Sequence, residues 1–319
     1  MTTFPDGVFQ YGGQPVGSHG AGPWSKVYFV DGAIGSDGHD GLKPNWAKAT
    51  IGAATALATR GDVIYVRPKD YAIGHGMERY QECVTIGMTN TGYNYAGTTN
   101  YPLCTPSDIS IIGVTNTISP EYGVRWRFDT TYCLINDSPA LHVENIGFFA
   151  EDATAAVYLR CNGSTDTQRG MDGTTFYNCG FKGGAIYGAS GGSGLWIERC
   201  HFYTKFDGTS AGLGAIKVTC STNPGNTLRI LDNIFHGGTT TEAPATCYIT
   251  VLPPMSQCTI QDNTFGTIPT DGHFIDLSGA ANTGQIVGNR FCGAITLEAS
   301  LHIGGCIQAG NFEIAGFMG

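Results

Sequence analysis

Two carboxylates, Asp232 and Asp262, occupy equivalent places in successive copies of one short sequence pattern. A pair of acids some 5–10 Å apart can act as the acid and the base or nucleophile of glycoside hydrolysis. Both also sit in Asp-Asn dipeptides, where a turn needs a residue tolerant of the left-handed region. The turn role is therefore the competing assignment. Glu144 and Glu198 share another position of the pattern with one copy between them, and that position is expected to face solvent. Asp31, Asp37 and Asp40 lie in a glycine-rich loop. They could offer oxygens to Ca²⁺, but Ser-Asp-Gly and His-Asp-Gly are ordinary turn sequences. The eight histidines (His19, His39, His75, His142, His201, His236, His273, His302) have no metal-ligand spacing and read as solvated or structural. The 11 cysteines include no Cys-x-x-Cys pair, so they are expected to be buried free thiols without zinc. Gly191-Gly192-Ser193-Gly194 is not a nucleophile elbow, and no phosphate-binding loop is present. Neither a metal nor a cofactor is expected, and the catalytic assignment of Asp232 and Asp262 is the weaker alternative.

The pattern that carries these residues is an octet. It has an apolar third residue, a polar turn at five and six, and Phe at eight. Its copies are Leu141–Phe148, Thr174–Phe181, Leu195–Phe202, Leu228–Phe235, Cys258–Phe265, Gly284–Phe291 and Gly305–Phe312, and their phenylalanines are 33, 21, 33, 30, 26 and 21 residues apart. A period of this size with a fixed apolar grammar marks a solenoid. Alternation within each octet is that of a strand, and glycine and asparagine punctuate every copy. The expected fold is all-β, a right-handed parallel β-helix of nine or ten coils. Varying spacings then correspond to loops of varying length. The phenylalanines should stack in an internal column, and Asn145, Asn178, Asp232, Asn233, Asp262, Asn263 and Asn289 should occupy turns, in part as a ladder. Val63–Val66, Cys83–Ile86 and Ile109–Ile112 read as upstream strands. Thr50 is placed to cap a short helix over Ile51–Thr59 that covers the first coil, with Gly61 just beyond it.

Composition agrees. Charged residues are only 13% of 319, glycine reaches 47 without a collagen period, and 41% hydrophobic residues exclude wholesale disorder. A net charge of −9 without a Lys/Arg cluster argues against nucleic acid as a partner. No apolar run has membrane-spanning length, and Met1–Gly7 lacks the features of a secretion signal, so synthesis and folding in a cytoplasm are expected. Residues 1–26 form a separate glycine- and proline-rich arm, and residues 27–319 the solenoid. Phe4, Phe9, Tyr11 and Trp24 in the arm, with Phe317 at the other end, are the candidate partner-binding residues.

Val27–Gly32, Gly35–Gly38, Asp40–Leu42, Ala49–Ile51, Gly61–Val66 and Glu82–Ile86 resemble the opening of pectate-lyase-like β-helix domains of bacteriophage tailspikes and surface proteins. The octets resemble the coils of the same superfamily. The resemblance implies a virion structural protein, a homotrimeric spike or head decoration subunit docked through its arm on capsid or tail proteins. It also admits a tailspike-type protein that binds or degrades host surface glycans, since this fold carries lyases, hydrolases and inert spikes alike. The lyases of the superfamily use clustered acids with Ca²⁺ and a basic residue. Here Arg199 beside Glu198 and Arg290 beside Asn289 stand isolated in the sequence.

Overall fold

In the computed structural model, residues 25–69, 79–87, 108–114, 123–128, 132–150, 155–160, 170–183, 186–188, 194–203, 214–219, 225–236, 247–266, 273–277, 282–292 and 301–314 are described. Four further segments, 9–11, 14–16, 88–94 and 100–104, are described by their backbone alone. The candidate partner-binding residues Phe4, Trp24 and Phe317 lie outside them. Of Phe9 and Tyr11 only the backbone is described, in an antiparallel pair of Phe9–Tyr11 with Gln14–Val16.

The chain winds as a right-handed parallel β-helix. Three parallel sheets of ten, nine and eight strands run the length of the described solenoid. One coil shows the order. Leu195–Glu198 belongs to the first sheet, His201–Tyr203 to the second and Ile216–Val218 to the third, after which Gly225–Leu231 re-enters the first. From Ser110–Gly113 onward, each strand of the three sheets therefore pairs with its equivalent one coil away rather than with its chain neighbour. The expected upstream strands are present as Val63–Arg67, Val84–Ile86 and Ser110–Gly113, the first and third in the first sheet and the second in the third sheet.

The interior is a set of columns. Phe148, Phe181, Phe202, Phe235, Phe265 and Phe291 are fully buried, with successive ring centroids 5.2, 4.8, 4.8, 4.6 and 4.9 Å apart and nearly parallel planes. Trp126 heads this column, 5.5 Å from Phe148, and donates its indole N–H to the Glu82 carbonyl. Val143, Phe176, Ile197, Ile230, Ile260 and Ile286 form the parallel column of the first sheet. The eight described cysteines are free thiols, and all but Cys83 are buried.

The turn between the first and second sheets sets the register. Its fifth octet position is left-handed in coil after coil: Asn145, Asn178, Arg199, Asp232, Asp262, Gly288 and Gly310 all have φ between 49° and 67°. Asn and Asp tolerate this region and glycine adopts it freely, whereas Arg199 is strained there. The sixth position carries a buried ladder. The Asn263 side-chain oxygen accepts from both the backbone and the side-chain N–H groups of Asn233, and its own amide donates to the Ile230 carbonyl. Asn289 and Asn311 repeat the pattern one and two coils on. In earlier coils Cys179 and Cys200 hold the same place, the Cys179 N–H reaching the Cys200 sulfur at 3.4 Å.

This ladder corrects the last octet. Gly310 takes the left-handed place and Asn311 the ladder place, so the coil is offset by one residue from the Phe-based alignment. Phe291 is in register with Glu313, and Ile286 with Gln308. Phe312 is consequently 58% exposed and Ile307 73% exposed, while Cys306 turns inward. The half-buried Asn311 amide satisfies the fully buried Asn289, and this outweighs one phenyl at the end of a column, where the ring would gain only one stacking neighbour.

The expected capping helix is shorter than the nine residues from Ile51 to Thr59. Helical bonding covers Ile51–Thr55, with the Thr50 hydroxyl accepting from the Ala53 N–H. The Asp62 carboxylate then takes the Thr59 N–H and hydroxyl and begins a turn. Ile51, Ala54 and Ala58 are still buried, and the Glu82 carboxylate accepts the N–H groups of Ile51 and Gly52. Burial holds the Glu82 carboxyl above its ordinary range against the pull of those two donors.

Phe235→Ala is expected to destabilise the protein by about 3–5 kcal/mol, a large-to-small change in a packed column. In the monomer, diluted below subunit association, Phe312→Ala is expected to cost under about 0.5 kcal/mol, as at an ordinary surface position. Chemical or thermal unfolding followed by circular dichroism distinguishes the two. Equal losses would restore the Phe-based alignment.

Candidate functional site

Residues pointing outward from the three sheets form rows along the helix axis, one residue per coil, and among the described residues these rows bring together groups that are distant in the chain. Asp232 and Asp262 do occupy equivalent positions of consecutive coils, each in the left-handed place of its turn. Both are exposed. The Asp232 carboxylate is 3.4 Å from the Arg199 guanidinium, and Asp262 accepts a 2.9 Å hydrogen bond from the Gln261 side chain. Their backbone geometry accounts for the residue type without a reacting partner.

The acids of the glycine-rich loop are directed to different partners. Asp31 is buried against Arg67 at 2.6 Å and accepts the N–H groups of Ala33 and Ile34. Asp37 accepts the N–H groups of Ala49 and Thr50 and the Thr50 hydroxyl, and Asp40 accepts the Leu42 N–H. Asp31 and Asp40 close local turns, while Asp37 ties the loop to the residues that lead into the capping helix.

On the first sheet, Glu144, Tyr177 and Glu198 are in register on three consecutive strands, all half-buried and outward-facing. The two acids thus flank one tyrosine on strands whose backbones are two interstrand steps, about 9.6 Å, apart. Glu144 lies 3.2 Å from His142 Nε2, and Glu198 is 3.8 Å from Arg199. Arg199 covers the Tyr177 ring and donates to its hydroxyl at 2.6 Å, which compensates the strained backbone of the arginine. Arg229 stacks over Trp196 in the adjoining row, and the Trp196 indole N–H is buried without an acceptor among the described residues.

On the third sheet Tyr158 and Tyr187 stack at 5.3 Å, and Tyr132, just ahead of the strand Leu134–Asn136, stacks on Tyr158 at 4.8 Å, beside the Arg160–Asp137 ion pair. Further along that sheet His302 meets His273, ring to ring at 3.9 Å, and lies 3.6 Å from Asp276.

On the second sheet, His201 and Tyr203 project from one strand and His236 from the next coil. His236 Nε2 lies 3.5 Å from His201 Nδ1, and the Tyr203 hydroxyl lies 3.4 Å from the same nitrogen. The Tyr203 and His236 rings are parallel at 4.7 Å. Burial first, and the neighbouring His201 second, lower the His236 pKa below its ordinary 6.5. Along the chain these histidines are 35 residues apart, with no ligand spacing between them. The available signal is positional, for His236 directly follows the octet Phe, as Tyr203 does one coil earlier.

Among the described residues no group of three or more His, Cys, Asp or Glu is arranged to hold a metal ion, and no helix is long and apolar enough to cross a membrane.

The lowered His236 value fixes a pH dependence. The unfolded chain binds this proton more tightly than the folded one, so this group costs nothing above pH 6.5 and destabilises progressively below it. Thermal midpoints measured across this range are expected to fall on acidification, and to fall less in His236→Gln.

No protein-family model matches the chain, and no curated protein matches it. Among solved structures, a GH136 lacto-N-biosidase from Eubacterium ramulus is similar over 90% of this chain and 67% of its own, at 13% identity and a TM-score of 0.29. A likeness of that size carries no argument about activity.

Proposed function

We propose that the chain is a non-enzymatic structural subunit of a bacteriophage particle, a β-helix spike or head decoration protein held to capsid or tail proteins by its N-terminal arm. The observation that carries this reading is the last described coil. It presents Ile307 and Phe312 to solvent beside the terminal strands of all three sheets. Exposed strand edges with apolar side chains favour coverage by further polypeptide. A homotrimer, with copies side by side around this end, would cover Ile307 and Phe312. The resemblance of residues 27–86 and of the octets to virion β-helices supports the assignment, as does the use of the loop and turn acids in backbone hydrogen bonds and turn geometry.

The full chain is expected to sediment as a trimer at micromolar concentration and to bind particles that lack it. Deletion of residues 1–26 should abolish particle binding while the trimer persists, and Phe312→Asp should weaken the trimer. A monomer that ignores particles overturns the proposal.

A second reading rests on the first-sheet row. Glu144 and Glu198 stand on strands about 9.6 Å apart with Tyr177 between them, just beyond the roughly 6.5–9.5 Å that separates the carboxyl groups of inverting glycosidases. Under this reading the protein acts on host surface glycans. A reducing-end assay over bacterial surface polysaccharides would show turnover, lost by a factor of at least about 10² in Glu144→Gln or Glu198→Gln. Turnover abolished instead by Asp232→Asn or Asp262→Asn would move the chemistry to the turn row. No turnover on any glycan removes both versions.

A further inference from the structure

We propose that His201, His236 and Tyr203 form a binding site for a borderline divalent cation of the zinc class on the outer face of the second sheet.

The first argument is distance. Two imidazole nitrogens bound to one ion at about 2.0–2.1 Å, with a tetrahedral angle between them, stand about 3.4 Å apart. His201 Nδ1 and His236 Nε2 are 3.5 Å apart before any ion is present, and the Tyr203 hydroxyl, 3.4 Å from His201 Nδ1, is a third donor at the same place. A fourth position would remain for water.

The second argument is preorganisation. The Phe202–Phe235 pairing fixes the two coils in register, and the His236 backbone N–H is bound to the Phe202 carbonyl at 2.8 Å. The parallel Tyr203 and His236 rings restrict the imidazole plane. The ligands are thus held by the solenoid itself rather than by a loop, which lowers the ordering cost of binding.

The third argument is chemical class. The donors are two imidazoles and a phenol, a set that suits zinc and its neighbours and not Ca²⁺ or Mg²⁺, which require carboxylate or carbonyl oxygens.

The site joins two coils, so occupancy should tie them together. Titration of the full-length protein with Zn²⁺ alone, and with Co²⁺ as the visible probe, is expected to show one equivalent bound at micromolar concentration with a rise in the thermal midpoint. His201→Gln and His236→Gln should each weaken binding at least about tenfold while retaining the wild-type circular dichroism spectrum. Tyr203→Phe should keep the ion but shift the Co²⁺ bands. His302→Gln, on the third sheet, should leave the titration unchanged. Absence of binding, binding indifferent to both histidine substitutions, or binding removed by His302→Gln alone would each overturn the proposal.

Discussion

The coils of this protein are locked together where the first sheet turns into the second. A parallel β-helix has weak intrinsic specification of register, because every coil offers similar strands to the next and a slip of one residue turns inward side chains outward. Here the turn removes that freedom. One residue must adopt a left-handed backbone, and the next places an amide that answers both a backbone and a side-chain N–H of the coil before it. The buried amides are partnered on both sides, and an offset neighbour would leave them unsatisfied in an apolar interior, which is far more costly than the loss of a surface contact. The phenyl column, one wall of the core, packs inside that frame.

How much of this is legible in the sequence depends on which constraint each residue type reports. The octets announce the fold, the strand positions and the internal stack from Phe148 to Phe291, because large apolar residues recurring at a fixed phase must share one buried face. Trp126, at the head of the stack, escapes the pattern since it lacks the octet around it. In the final coil phenylalanine is a misleading register mark, because the amide and the left-handed turn carry the register instead. Asn311 follows Gly310 just as Asn289 follows Gly288. For the capping helix, Thr50 and the spacing of Ile51, Ala54 and Ala58 report the burial of one face. The early turn imposed by Asp62 leaves no such mark, since it depends on a carboxylate reaching back to the Thr59 backbone.

The chemistry-bearing residues are less legible, for a topological reason. In a solenoid, functional neighbours come from equivalent positions of different coils, and variable loops scramble their separation along the chain. Asp232 and Asp262 are identifiable because they fall inside the octet. His201 and His236 meet although one lies inside the octet and the other just past it. The row of Glu144, Tyr177 and Glu198 is half visible: the acids share a position in the pattern, while the tyrosine between them carries no signal until the strands are set side by side.

The asparagine row also has a direction. Every amide reaches back toward the coil that precedes it, oxygen to N–H and N–H to carbonyl. Such an array is polar along the axis, like a stack of arrows. A neighbour inverted about a two-fold axis at either end would oppose arrow to arrow, donor facing donor or acceptor facing acceptor. Whatever extends the array must run the same way as the chain itself. Molecules set side by side about a three-fold axis parallel to the solenoid leave all their arrays aligned and need no such reversal.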